Sequence, residues 1–223
     1  MRLIAHRGFA AVNPENTLRA VRSAARVADA VEVDVRRCGS GELVVIHDAT
    51  VDRVTDGTGP VADHTLAELG EVDVLGTGEG VPTLSAVLGV VPDGVALNVE
   101  LKEDGMAGDA LATVNASGAD AWISAFDPDV LESCRSADAS VPRALLAAAD
   151  GVAAIDTARE LDCAALHPAA EVCDRHLVER AHAADLAVNA WTVDRPGTAR
   201  SLADHGVDGL IADRPDVRPD DGP

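Results

Sequence analysis

The sequence contains no tyrosine, and two phenylalanines and two tryptophans leave aromatics at 2% of its 223 residues. Cationic side chains are scarce as well. Eighteen Lys and Arg stand against 38 Asp and Glu, a formal net charge of −20, and Lys102 is the one lysine among them. A field of that sign repels phosphate backbones, which excludes general nucleic-acid binding. No apolar run comes near the ~18 residues of a membrane-crossing helix, which excludes stable membrane insertion. Cysteine is confined to Cys38, Cys134, Cys163 and Cys173, with no close pair and no CxxC. That spacing speaks against a disulfide framework and for reduced, semi-buried thiols in the cytoplasm. No charged-then-apolar leader precedes residues 2–6, which already have the pattern of a strand.

What is abundant is Ala, Val and Leu, which carry most of the 47% hydrophobic content and recur with regular periods, so disorder is excluded. The acid excess reads as a surface adapted to high salt, where counter-ions screen the repulsion. A GC-rich codon usage is the plainer alternative, but by itself it does not explain 38 acids.

Short β-type runs at 2–6, 31–35, 43–47, 95–101, 120–125, 141–146, 163–167, 186–192 and 208–212 alternate with helical patterns. The helices are predicted at 16–28, 83–91, 107–117, 128–137, 152–161, 174–184 and 197–205. Such alternation implies parallel strands with crossover helices. The link between the second and third runs holds Gly39-Ser40-Gly41 and is too short for a crossover, so 43–47 returns as a hairpin partner. The prediction is a (β/α)8 TIM barrel with an extra hairpin strand, one domain over 1–213, followed by a tail at 214–223 with a frayed end. A long connection at about 48–94, turn-rich and with a short helix near 65–69, is expected to be a lid-like insertion.

Strand alternation locates the chemistry, because side chains at i and i+2 share a face. In 31–35 three valines share one face and Glu32 and Asp34 the other; in 95–102, Asn98, Glu100 and Lys102 lie opposite the apolar positions. In a barrel the apolar face meets the helices, so the charged groups point inward and must be paired or hold an ion. Glu32, Asp34 and Glu100 therefore converge as hard oxygen donors suited to Mg²⁺ or Ca²⁺. The alternative is a salt-bridged cluster with Arg7, Arg36 and Lys102. His6 and His47 end neighbouring strands, with His47 expected opposite Glu32 or Val33, and imidazoles beside a metal make a natural acid and base. Arg7 offers a fork and Lys102 a point charge for phosphate. Asn16 or Thr17 is expected to cap the first helix, Trp191 to wall the pocket or simply pack, and His167 to lie on the active-site rim. His64, His176, His182 and His205 fall in loops or helices and are read as surface residues.

These residues also carry a resemblance. His6-Arg7-Gly8 with Pro14-Glu15-Asn16-Thr17, then Glu32-Val33-Asp34-Val35, Val45-Ile46-His47-Asp48, Asp52-Arg53-Val54-Thr55-Asp56-Gly57-Thr58-Gly59, Pro82-Thr83-Leu84 and Asn98-Val99-Glu100-Leu101-Lys102 follow one another in order. With Trp191-Thr192-Val193-Asp194 and the segment 206–215, the set is similar to the motifs of the glycerophosphodiester phosphodiesterase family across essentially the whole chain. The resemblance implies a TIM barrel and one divalent cation held by Glu32, Asp34 and Glu100. It also implies an acid/base pair at His6 and His47, phosphate neutralised by Arg7 and Lys102, and hydrolysis of a small glycerophosphodiester to glycerol phosphate and an alcohol. Ala212, where the family usually has Thr, speaks against a substrate hydroxyl contact there. Two rivals keep the fold. A phospholipase-type phosphodiester lyase would need an apolar rim, but the insertion is poor in aromatics and rich in Asp. A non-catalytic phosphate-ester binding protein would lack a catalytic group, and none is missing. Nothing in the sequence selects the head group, the ion or an oligomeric state.

Overall fold

The computed structural model describes residues 1–218. Among them the chain forms nine strands: β1 (Arg2–Ala5), β2 (Ala30–Arg37), β3 (Leu43–Val45), β4 (Ala96–Leu101), β5 (Ala121–Ala125), β6 (Arg143–Ala147), β7 (Ala165–Pro168), β8 (Ala187–Val193) and β9 (Gly209–Ala212). Eight are parallel, and β1 pairs with both β2 and β9, which closes the barrel. The helices are α1 (Leu18–Ala24), α2 (Leu66–Glu71), α3 (Leu84–Leu88), α4 (Ala107–Ser117), α5 (Pro128–Ala137), α6 (Gly151–Glu160), α7 (Arg175–His182) and α8 (Pro196–His205). No helix among the described residues is long and apolar enough to cross a membrane.

The predicted strands all form, but the helices predicted at 16–28, 83–91 and 174–184 are shorter. In the first two a threonine cap sets the start, while most of the loss is at the C-terminal end. Thr17 Oγ1 accepts the Ala20 N–H at 3.1 Å, so α1 starts at Leu18 and not at 16. Thr83 caps α3 in the same way, and that helix stops at Leu88, before Gly89. The hairpin strand β3 is antiparallel to β2 with Val35 opposite Val45. It ends at Val45, two residues short of the predicted 47, and the bond from Ile46 N–H to the Asp34 carbonyl (2.9 Å) carries the register on to set His47 level with Val33.

Packing follows the alternation. Val31, Val33 and Val35 are fully buried in the large core between sheet and helices, at about 1.5–3 kcal/mol each. The opposite face carries Glu32 and Asp34 into the barrel, above a small apolar floor of Ile4, Ala30, Ala96 and Ile211. The insertion is not an open loop. Val51, Val54, Val61, Leu69, Val74 and Val81 cluster with Cys38, Val44 and Ile46 of the hairpin into a second apolar core. Helix α3, by contrast, belongs to the barrel core through Leu84, Val87 and Leu88. The expected tail also begins differently: Pro215–Val217 forms a 3-10 turn and buries Val217 in the main core. The predicted fraying concerns residues 219–223, outside the described residues.

All four cysteines are buried free thiols. Burial pushes Cys134 and Cys163 up to about 11 and Cys173 to about 12, away from the reactive thiolate. The folded protein should therefore react slowly with Ellman's reagent and release its thiols only in denaturant; rapid native labelling of these three would contradict the packing.

Candidate active site

Three successive residues with positive φ build the first corner of the site: Arg7 (50°), Gly8 (78°) and Phe9 (68°). The left-handed region costs a non-glycine residue roughly 1–2 kcal/mol. Gly8 is required twice over, since a Cβ there would meet Ala20 Cβ at 2.8 Å. Phe9 buries its ring almost completely, and Arg7 turns its N–H onto Glu32 Oε2 at 2.9 Å. Asn16, also left-handed (58°), is buried and donates Nδ2 to Asp34 Oδ2 at 2.8 Å. Of the two predicted caps, Thr17 does the capping, and Asn16 serves the carboxylate cluster.

Parallel register brings the three acids together. Asp34 is paired with Glu100, and Glu32 with Asn98, across β2 and β4. Ligand oxygens of Glu32, Asp34 and Glu100 all lie within 4.8 Å of one another, and all three residues are buried. Glu32 Oε1 has no hydrogen-bond partner, and Asp34 Oδ1 has no neighbour of that kind except the Lys102 ammonium. Unpartnered buried carboxylate oxygens are costly, so this donor set fits a hard divalent cation. Burial and the charges of Asp34 and Glu100 push the Glu32 carboxyl well above its ordinary range. Burial acts upward on Asp34 too, but Arg7 and Lys102 outweigh it and hold Asp34 low. Lys102 Nζ lies 3.2 Å from Asp34 Oδ1 and donates to Glu100, while Arg7 Nε lies 3.2 Å from Asp34 Oδ2.

His6, Arg7, Glu32, His47, Glu100, Lys102 and Trp191 line one cavity of about 130 Å³, together with Asn98, Phe126, Leu146, Thr192 and Ile211. Of the residues predicted to hold the metal, act as acid or base, or bind substrate, all are in it except Asp34, which is paired with Arg7 and Lys102. Arg36, proposed for a salt-bridged cluster, points elsewhere and donates Nε to the His47 carbonyl at 2.8 Å. Trp191 packs edge-on against Phe126, ring centroids 5.4 Å apart, and donates Nε1 to the His167 carbonyl.

Each histidine is held by a carboxylate. His6 Nδ1 lies 2.6 Å from Asp213 Oδ1, and His47 Nδ1 lies 2.6 Å from Asp48 Oδ1. The carboxylates keep the proton on Nδ1 and leave Nε2 for the cavity. Burial lowers His47, partly countered by Asp34 and Asp48, so its ring is neutral near neutral pH. The sequence reading gave no role to Asp48 and Asp213, although a signal existed. Asp48 adjoins His47, and the β1–β9 register of Ala5 with Ala212 sets Asp213 level with His6.

The glycerophosphoryl diester phosphodiesterase family model matches residues 6–217. The chain belongs to that family. A glycerophosphodiester phosphodiesterase of Caldanaerobacter subterraneus is 32% identical, over 96% of this chain and 95% of the relative. Among solved structures, a phosphodiesterase of Oleispira antarctica in complex with the product sn-glycerol-3-phosphate superposes with a TM-score of 0.88. It is 30% identical, with 96% and 94% of the two chains covered. A glycerophosphodiester phosphodiesterase of Agrobacterium tumefaciens gives 0.86 at 27% identity, over 97% and 98% of the chains.

One expectation fails within this family member. His167 is not on the rim but wholly buried in the barrel, with Nε2 3.0 Å from Asn189 Nδ2. Its strand position faces inward at a level below the mouth. Burial drives its pKa from 6.5 down to about 3. Unfolded, this histidine takes up a proton below pH 6.5, while the folded one refuses it until about pH 3, so stability is lost as pH is lowered across that window. The effect amounts to about 1.4 kcal/mol per pH unit. His167→Gln should therefore flatten the dependence of unfolding free energy on pH between 6.5 and 3; an unchanged slope would place the titration elsewhere.

Proposed function

We propose that this family member hydrolyses glycerophosphodiesters to glycerol phosphate and an alcohol, with a divalent cation and two histidines. One observation carries the reading: a buried three-carboxylate cluster with an unpartnered oxygen shares a cavity with two carboxylate-held imidazoles, Arg7 and Lys102. Residues 1–213 with their insertion at 48–94 act as one catalytic domain.

Glu32, Asp34 and Glu100 would hold one Mg²⁺ or Ca²⁺, which supplies Lewis-acid polarisation of a phosphoryl oxygen. Arg7 and Lys102 bind the phosphate oxygens and offset a protein charge of −20 at the one place where an anion must enter. Neutral His47 takes the proton of the attacking hydroxyl through Nε2. His6 enters the step with Nε2 also protonated, gives that proton to the departing alcohol and regains one from the water that completes hydrolysis. Trp191 walls the glycerol side. Attack by the adjacent glycerol hydroxyl passes through a cyclic phosphate that water then opens, and trapping that ester in a rapid-quench experiment separates this course from direct attack by water.

The acid excess and the four free thiols support a salt-rich, reducing cytoplasm as the working environment. Turnover of glycerophosphocholine and glycerophosphoethanolamine should vanish with EDTA, return with Mg²⁺ or Ca²⁺, and persist in molar KCl. Full activity in EDTA would end the metal reading, and no turnover of either substrate under any condition would end the hydrolytic one.

A further inference from the structure

We propose that Arg53, an insertion residue outside the cavity, is a positioning residue that holds the His47 side and the Arg7 side of the site together. The inference rests on the hydrolytic reading above. Arg53 Nε donates to Asp48 Oδ2 at 2.5 Å, and its two terminal nitrogens donate to the two oxygens of Glu15 at 2.8 Å each. Both carboxylates are engaged further, Asp48 through its other oxygen and Glu15 through Oε1, which accepts from Arg53 and Arg7 alike. Asp48 Oδ1 lies 2.6 Å from His47 Nδ1, and Glu15 Oε1 accepts from Arg7 at 3.0 Å. Arg7 continues to Asp34 at 3.2 Å. One unbroken run of charge-assisted contacts thus leads from His47 through Asp48, Arg53, Glu15 and Arg7 to Asp34. A planar fork can grip two carboxylates in fixed directions, whereas a lysine is a single point charge.

The rival role is a mere staple between insertion and barrel. Arg53 has a side-chain exposure of 47%, so solvent screens its ion pairs and they contribute little stability. The insertion is also fastened without it. Gly39 N–H donates to the His64 carbonyl at 2.7 Å and Val45 N–H to the Pro82 carbonyl at 2.8 Å, over the second apolar core. Removing Arg53 therefore leaves the fold in place and frees the His47 ring and the Arg7 fork to wander. Misalignment of groups that act at the reacting centre lowers rate more than substrate binding.

The test compares Arg53→Met and Arg53→Lys with the wild type on glycerophosphocholine. Arg53→Met should lower kcat by about 10–100-fold, as loss of an outer partner does. KM should stay within about threefold and Tm within about 3 °C. Arg53→Lys, which keeps the charge but not the fork, should recover only a minor part and carries the comparison if the methionine variant folds poorly. In an Asp48→Asn background, where the His47 limb is already broken, Arg53→Met should cost clearly less than it does alone. Wild-type kcat in Arg53→Met, full recovery in Arg53→Lys, or strict additivity with Asp48→Asn would each overturn the role. An inactive wild type defeats the hydrolytic reading and this inference with it; an active wild type beside an unaffected Arg53→Met defeats the inference alone.

Discussion

His47→Ala should lower kcat on glycerophosphocholine by about 10³-fold, and His6→Ala by a comparable factor, with little change in Tm. Both rings reach the cavity from strand ends and bury little of the core, with side-chain exposures of 32% for His47 and 16% for His6. The two variants part company on the p-nitrophenyl ester of glycerol phosphate, whose leaving group needs no proton. His6→Ala should recover most of its activity there, because only the acid step is bypassed. His47→Ala should stay inactive, because deprotonation of the attacking hydroxyl is still required. Equal recovery in both would remove the assignment of His47 as base and His6 as acid. Near wild-type turnover in His47→Ala on the natural substrate would sink the two-histidine mechanism altogether.

Glu32→Gln and Asp34→Asn, two isosteric changes two residues apart, should move the stability of the metal-free protein in opposite directions. Glu32 faces two other carboxylates, and its Oε1 has no partner, so removing its charge relieves repulsion. Asp34 is held by Arg7, Lys102 and Asn16, so its neutral form takes one counter-charge from each cation and leaves Arg7 to Glu15 and Lys102 to Glu100. Breaking such a buried pair costs about 3–5 kcal/mol. In a domain of this size that corresponds to a fall in Tm of roughly 6–20 °C. Glu32→Gln should leave the metal-free Tm equal to or above that of the wild type. Both variants, and Glu100→Ala with them, should lose turnover and the rise in Tm on adding Mg²⁺ or Ca²⁺. A fall in metal-free Tm for Glu32→Gln as large as that for Asp34→Asn would contradict the charge pattern described here.

Much of this site was legible because a strand has a period of two. The valines at 31, 33 and 35 could only face the helices, so Glu32 and Asp34 had to face the barrel axis. The same reasoning placed Glu100 opposite its apolar neighbours, and the lone lysine on the carboxylate side. The hairpin was legible from a link too short to cross over, and its register put His47 where expected. The family resemblance added the roles of these groups. His167 was misplaced because alternation says which face a residue takes but not how deep along the barrel axis it lies. The apolar core of the insertion was not legible because its small hydrophobes are spread over some thirty residues and come together only when the chain folds back on the hairpin.

The sequence by itself determined the barrel, the strand faces and the charged groups that line the cavity, since these depend on local periodicity and short spacings. Tertiary structure alone decided the partnerships between carboxylates and side chains that are distant in the chain. Asp213 meets His6 only because the last strand closes on the first. Glu15 and Asp48 share Arg53 only because the insertion folds against the turn after β1. Contacts made by barrel closure and by a folded insertion join residues far apart in the chain, and no pattern within a strand or helix encodes them.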